Sequence, residues 1–256
     1  MSEKKIYFVT DAHLGSTAGI PVRDNERRLV RWMDSIRPDC EALYLMGDMI
    51  DFWYEYRRVV PKGYARFFGK LAEFTDAGIP VRWFAGNHDI WLYSYVQDEL
   101  GVEVIRQPME TLIKGHRFFL DHGDGLGDPH LGTRFLAWFF NNRFNQWLFS
   151  NLMPANLGMK LGNAWSRHSF EKRKCDGSAG YLGEDKEYLV AFAKQHSAQA
   201  AAGGRPVPEY YVFGHRHIVL DLQLASGSRV LIVGDWIKEF TYGVFDGDSF
   251  EIRSWE

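Results

Sequence analysis

Five short segments of the 256-residue chain carry side chains that bind divalent cations. They are Asp11-Ala12-His13, Gly47-Asp48, Gly86-Asn87-His88-Asp89, His122-Gly123-Asp124 and Gly214-His215-Arg216-His217. Nine histidines occur, and five of them (His13, His88, His122, His215 and His217) fall in these segments. Carboxylates, imidazoles and an amide oxygen suit Mn²⁺, Fe²⁺ or Zn²⁺, and the absence of thiolate disfavours a structural zinc. A carboxylate such as Asp48 can bridge two ions about 3.5–4 Å apart, the spacing that serves in-line displacement at phosphorus. Ions so placed polarise phosphoryl oxygens and lower the pKa of a water that attacks phosphorus, and a nearby histidine can protonate the leaving oxygen. Any one of these residues, taken alone, is more simply a turn former at a strand end. The set of them is not explained that way.

The elements that must position them are legible as apolar runs that each stop at one of the segments. Ile6–Val9 stops before Asp11, Ala42–Met46 before Asp48, Val81–Ala85 before Asn87, Phe118–Leu120 before His122, and Tyr210–Phe213 before His215. A sixth run, Leu231–Val233, stops at Gly234-Asp235-Trp236. These runs have strand length and composition. Leu29, Val30, Trp32, Met33 and Ile36 recur at helical spacing between the first two, and Tyr64, Phe67, Phe68, Leu71 and Phe74 between the next two, with Gly78 and Pro80 ending that helix. After residue 206 the pattern becomes strand after strand, with turns at Ser226-Gly227-Ser228 and Asp246-Gly247-Asp248. The expectation is one α/β layered domain over 1–256, a sandwich of two mixed β-sheets flanked by helices. Residues 130–200 break the rhythm and read as an inserted helical cap. In open α/β sheets ligands gather at the carboxyl ends of strands, where all five segments lie.

Asp-x-His at 11–13, Gly-Asp-x-x-Asp at 47–51, Gly-Asn-His-Asp at 86–89, His-Gly-Asp at 122–124 and Gly-His-x-His at 214–217 together resemble the signature of the calcineurin-like metallophosphoesterases. The resemblance implies that Asp11, His13, Asp48 and His217 hold one ion, that Asp48, Asn87, His122 and His215 hold the other, and that His88 is the catalytic histidine. Asp51, Asp89 and Asp124 read as groups that support the ligands. His116 reads as part of a hairpin turn, and His196 as a solvated helix residue. His130 and His168 stay open between a role in the cap and none.

Substrate choice should lie in the cap. Phe135, Leu136, Trp138, Phe139, Phe140, Phe144, Trp147, Leu148 and Phe149 form a dense apolar set, expected to be mostly packed, with a few residues exposed. A helix of this kind beside an active site can also hold acyl chains or touch a bilayer interface. Asn163, Ser166, Arg167, His168 and Lys172 follow and could hold a diphosphate. The whole layout is similar to the UDP-2,3-diacylglucosamine pyrophosphatases of lipid A synthesis, with the same metal segments and a helical insertion after His-Gly-Asp. That resemblance implies cleavage of a nucleotide-linked lipid to UMP and 2,3-diacylglucosamine 1-phosphate, two divalent ions with manganese expected (Fe or Zn possible), and a peripheral place on the cytoplasmic face of an inner membrane. The best-known branch of that family has Arg where this chain has His88. The alternative is a soluble phosphodiesterase or phosphatase acting on nucleotides or other small phosphoesters, which predicts a cap packed shut on itself.

Composition narrows the field further. Net charge is −3, and no long basic stripe occurs, which argues against a nucleic-acid partner. Cys40 and Cys175 are the only cysteines and stand far apart, so neither a disulfide framework nor a zinc ribbon is expected. Ile6–Val9 is too short for a secretory apolar segment, so a reducing, cytoplasmic setting is expected.

Overall fold

A computed structural model describes residues 4–16, 20–56, 58–127, 139–140, 142–175 and 180–255; for residues 143, 150 and 169–175 it describes the backbone alone. The first sheet holds β1 (Lys5–Val9), β2 (Cys40–Leu45), β3 (Val81–Phe84), β4 (Glu103–Ile105), β10 (Thr241–Phe245) and β11 (Phe250–Ser254), in the order β11-β10-β1-β2-β3-β4. The second holds β5 (Met109–Ile113), β6 (His116–Leu120), β7 (Tyr210–Phe213), β8 (Val219–Gln223) and β9 (Arg229–Val233), in the order β5-β6-β7-β9-β8. Strands β1 to β4 run parallel to one another, as do β6, β7 and β9, while β10, β11, β5 and β8 pair antiparallel. Both sheets are mixed, as expected from the sequence.

Alternation of side chains along each strand builds the layers. Ile6 and Phe8 point between the sheets, into a core shared with Phe118, Leu120, Val212, Leu231 and Phe245. Tyr7 and Val9 point the other way, onto helices α1 (Val22–Ile36) and α2 (Ala65–Asp76), where Leu29, Trp32, Phe67 and Leu71 cover them. Leu29, Trp32, Met33 and Ile36 are the buried stripe of α1, at the spacing of one helical face. Two polar residues of α1 are buried for local reasons. Glu26 accepts from the Arg66 and Phe67 backbone N–H groups (3.0 and 3.4 Å) and so satisfies the start of α2, whose own N-cap residue, Tyr64, makes no side-chain cap. Asn25 donates to the Ala12 carbonyl (2.8 Å) and so pins the segment that follows β1.

Between β6 and β7 stand α4 (Arg143–Leu152), α5 (Ala155–Cys175) and α6 (Tyr188–Ala202); the short α3 (Tyr95–Asp98) precedes β4. Helix α6 is a layer of the sandwich: Leu189, Val190 and Ala193 pack on Phe119, Tyr211 and Phe213 of the second sheet. That packing corrects the reading of His196. It is half-buried, with Nδ1 3.0 Å from the Tyr211 hydroxyl, because its face of α6 is the one turned to the sheet. His116 also differs from expectation. The hairpin turn is Lys114-Gly115, both in left-handed backbone (φ 47° and 87°), while His116 begins β6 and sets Nδ1 2.7 Å from a Glu209 carboxylate oxygen. His130 lies outside the described residues. No helix among the described residues is long and apolar enough to cross a membrane.

Candidate metal centre

Strands β1, β2, β3, β6 and β7 deliver the five segments to one edge of the sandwich, and hydrogen bonds there tie the two sheets together. The His122 ring nitrogen Nδ1 is 2.8 Å from the Met46 carbonyl, and the His215 backbone N–H donates to Asp11 (2.8 Å). The His88 backbone N–H donates to Asp48 (2.8 Å). Asp11, His13 and His217 place one ligand atom each within 4.8 Å of the others, and Asp48, His122 and His215 do the same. His13 Nε2 lies 3.7 Å from Asp11 Oδ1 and 3.8 Å from Asp48 Oδ2, so the two triads adjoin. His122 Nε2 is 3.3 Å from Asp48 Oδ2, and His217 Nε2 is 3.1 Å from Asp11 Oδ1.

The ring nitrogens sort into two kinds. His13 Nδ1 meets Asp51 at 3.1 Å, His122 Nδ1 meets the Met46 carbonyl, and His217 Nδ1 meets Asp235 at 3.4 Å. The opposite nitrogens, Nε2 of all three, are buried and face the Asp11 and Asp48 carboxylates at 3.1–3.8 Å without hydrogen-bond geometry, and Asp11 Oδ1 likewise makes no hydrogen bond. Buried polar atoms are rarely left so, because the cost is about 1–3 kcal/mol each. Four converging atoms in that state fit a site built for cations, with each Nδ1 partner fixing the ring that offers Nε2. Nitrogen and oxygen donors without thiolate suit borderline to hard divalent ions.

Local backbone carries the same mark. Asp11, His13, Asp48, His215 and His217 have φ between 41° and 64°, and they are five of the seven non-glycine residues with positive φ among the described residues. Such backbone costs about 1–3 kcal/mol per residue and persists where surroundings enforce it. The glycines beside them leave room for close approach. A Cβ on Gly47 would strike the His122 ring, and one on Gly86 would strike Asp48. Asp89 clasps this corner by accepting from the Met49, Gly86 and Trp83 indole N–H groups (2.8, 2.7 and 3.1 Å).

Electrostatics follow from crowding. Burial opposes ionisation of Asp11 and Asp48, yet the surrounding histidines outweigh it and hold both well below the usual carboxylate range. Burial would lower His13, but Asp11, Asp51 and Asp48 overcome it and raise the imidazole to about 10. Burial wins at His88, whose pKa falls, partly countered by Asp48. Its Nδ1 lies 2.7 Å from the Asp51 carbonyl, so Nδ1 carries the proton and Nε2 is the remaining ring nitrogen.

His88 and Asn87 line an open cleft with Asp51, Phe52, Trp53 and Trp91 from the core side. Phe140, Phe149, Leu161, Trp165 and Ser166 close it from the side of the inserted helices. Of the substrate residues expected from sequence, Ser166 is in the cleft and buried, its hydroxyl donating to Asp51 (2.6 Å). Asn163, Arg167 and His168 are exposed on α5 and do not line the cleft. Lys172 is on the same helix, with its side chain outside what is described. The aromatic set is more exposed than expected: Phe139, Phe144, Trp147 and Leu148 all face solvent, while Phe135, Leu136 and Trp138 lie outside the described residues. Asp235 received no role from sequence. Its place after β9, at the same edge as the five segments, was the available signal.

Comparison with known proteins agrees with this geometry. A family model described as calcineurin-like phosphoesterase matches residues 4–219. The chain belongs to the calcineurin-like phosphoesterases. Within that family it is 40% identical over 264 residues to the UDP-2,3-diacylglucosamine hydrolase of Porphyromonas gingivalis, covering 98% of each chain. It is 25% identical to the UDP-2,3-diacylglucosamine hydrolase of Aeromonas salmonicida, over 91% of this chain and 86% of that one. Among solved structures, a dimetal phosphatase from Danio rerio aligns with a TM-score of 0.49 and 13% identity, covering 98% of this chain and 95% of that one. As a calcineurin-like phosphoesterase the chain is a metal-dependent hydrolase of the α/β sandwich type.

Proposed function

We propose that this phosphoesterase cleaves the pyrophosphate of UDP-2,3-diacylglucosamine, giving UMP and 2,3-diacylglucosamine 1-phosphate. The observation that carries the reading is the cleft, which joins apolar walls to the metal-facing residues. Trp91, Phe140, Phe149, Leu161 and Trp165 line the same cavity as Asn87 and His88. A small polar ester has no use for such walls, whereas acyl chains do. The near full-length likeness to the Porphyromonas gingivalis hydrolase supports the same substrate.

Asp11, His13, Asp48 and His217 would hold one ion, and Asp48, Asn87, His122 and His215 the other, with manganese as the ion we favour. Two such ions, when bound, polarise the phosphoryl oxygens and make water a nucleophile at neutral pH. Asp48, whose Oδ2 lies 3.8 Å from His13 Nε2 and 3.3 Å from His122 Nε2, would serve both. His88, its Nδ1 proton held by the Asp51 carbonyl, offers Nε2 to the diphosphate. An anionic diphosphate beside it favours the imidazolium, which can pass a proton to the leaving oxygen. Asn163, Arg167, His168 and Lys172, on the cap helix that walls the cleft, are our candidates for the nucleotide end. Exposed Phe144, Trp147, Leu152 and Trp165 support seating on the cytoplasmic face of an inner membrane, where the substrate resides.

The deciding experiment is a Mn²⁺-supplemented assay of purified protein on UDP-2,3-diacylglucosamine beside bis(4-nitrophenyl) phosphate. Release of UMP from the lipid, at a rate well above that of the simple ester, is the expected result. Brisk cleavage of the simple ester with none of the lipid would reject the lipid assignment and favour a soluble phosphodiesterase.

A further inference from the structure

We infer that Ser166 is a positioning residue, coupling the seating of cap helix α5 to the metal-facing histidines by way of Asp51. The inference rests on the two-ion reading above.

Asp51 is a junction of four contacts. Its backbone N–H donates to the Leu14 carbonyl (3.0 Å), which fixes the residue on the segment that follows β1. Its carbonyl is 2.7 Å from Nδ1 of His88. Its Oδ1 is 3.1 Å from Nδ1 of His13, and the same oxygen accepts from the Ser166 hydroxyl at 2.6 Å. One residue therefore orients both the ring assigned to an ion and the ring assigned to the phosphate. The two rings sit edge to face, with centroids 4.6 Å apart. A carboxylate oxygen has two lone pairs. With one committed to Ser166, the other is aimed at His13, and rotation of the carboxylate is stopped. Without the hydroxyl, water from the adjoining cleft becomes the competing partner and the His13 ring loses its fixed direction.

The cap side shows why serine fits here. Gly158, Gly162 and Ser166 recur every four residues and lie along one face of α5. A Cβ on Gly158 would come within 3.0 Å of the Tyr56 hydroxyl and 3.1 Å of the Phe149 ring, and one on Gly162 would strike the Phe52 ring. The helix backbone thus lies close against the 51–56 segment, and a side chain as short as serine bridges the gap. Ser166 is 4% exposed, so the bond is shielded from bulk water. Because Ser166 and Asp51 both line the cleft, whatever fills the cleft acts on this joint.

Metal-free wild type, Ser166→Ala and Ser166→Thr proteins should be titrated with Mn²⁺ by calorimetry, and their kcat and KM measured on bis(4-nitrophenyl) phosphate, an ester too small to need the cap. Partners of ligating histidines typically contribute about 10–100-fold to affinity or activity, and one step further out we expect about 3–30-fold. Ser166→Ala should weaken Mn²⁺ binding by that factor and lower kcat on the small ester with KM little changed, while Ser166→Thr, which keeps the hydroxyl, recovers most of both. Wild-type Mn²⁺ affinity and small-ester turnover in Ser166→Ala, with loss confined to KM for the lipid, would overturn the coupling and leave Ser166 a substrate contact. Equal weakening in Ser166→Thr would also overturn it, since the hydroxyl would then be irrelevant. A wild-type protein that takes up no Mn²⁺ rejects the two-ion reading itself, an outcome distinct from both.

Discussion

Three histidines, His13, His122 and His217, each have one ring nitrogen held and the other turned to the buried carboxylates of Asp11 and Asp48 without a hydrogen bond. Two consequences belong at this scale. Asp48 adjoins both triads through His13 and His122, so Asp48→Ala should cost the protein at least one ion by elemental analysis and reduce activity by more than the about 100-fold typical of an outer partner. Retention of both ions would contradict the shared-carboxylate arrangement. The second concerns pH. His13 is raised to about 10 when no ion is bound, so near neutrality its imidazole is protonated. An ion binds only the deprotonated ring, and uptake therefore releases a proton. His122 is raised as well, Asp48 outweighing burial there, so apparent Mn²⁺ affinity should rise with pH by up to about tenfold per unit for each proton released. Affinity independent of pH between 6.5 and 8 (roughly the range over which Mn²⁺ stays soluble) would show that His13 is not a ligand.

Among the elements, strands and their terminal segments were legible in the sequence, because apolar alternation and a polar stop are local signals. Residues such as Asp11 and His215 could be placed at an edge from these signals alone. Their left-handed backbone could not, since it is imposed by contacts between segments two hundred residues apart in sequence. The helices between β6 and β7 were foreshadowed by the sequence, but their contacts were not. Gly158 and Gly162 carry no local signal of their role, and only their neighbours mark them as the docking face. Gly162→Ala should push α5 off Phe52 at a cost of about 1–3 kcal/mol, the range for overpacking a close contact. The expected signature is faster amide hydrogen exchange in α5 with β1, β2 and β7 unchanged. Exchange that stays slow in α5 would mean that the close approach is not what holds it. His196 and His116 were misplaced for one reason: the partner of each, Tyr211 or Glu209, comes from another part of the chain that no local pattern reveals.

For the whole molecule, the site is a net cost that cations repay. Five residues are held in strained backbone, and Asp11 Oδ1 with three histidine Nε2 atoms is buried without a hydrogen bond. Ligand binding to the native state alone adds about 2.7 kcal/mol of stability at one hundred times Kd. The melting temperature should therefore fall measurably on chelation and recover when Mn²⁺ is returned. An unchanged melting temperature after verified removal of both ions would mean that the edge is stable without them. The two-sheet core explains how the fold tolerates that load. Phe8, Phe118, Val212 and Leu231 lie in a continuous apolar layer behind the edge, and that layer needs no ion to close.

The bond from the His215 backbone to Asp11 spans almost the entire length of the chain. During synthesis the first metal-facing carboxylate is made early, and its partner arrives only after β7 has been translated. A nascent chain arrested before His215 lacks two of the seven proposed ligands and the backbone bond that joins the two sheets at Asp11. A product cut short before His215 is therefore expected to bind fewer ions than the whole chain, a difference that elemental analysis would show.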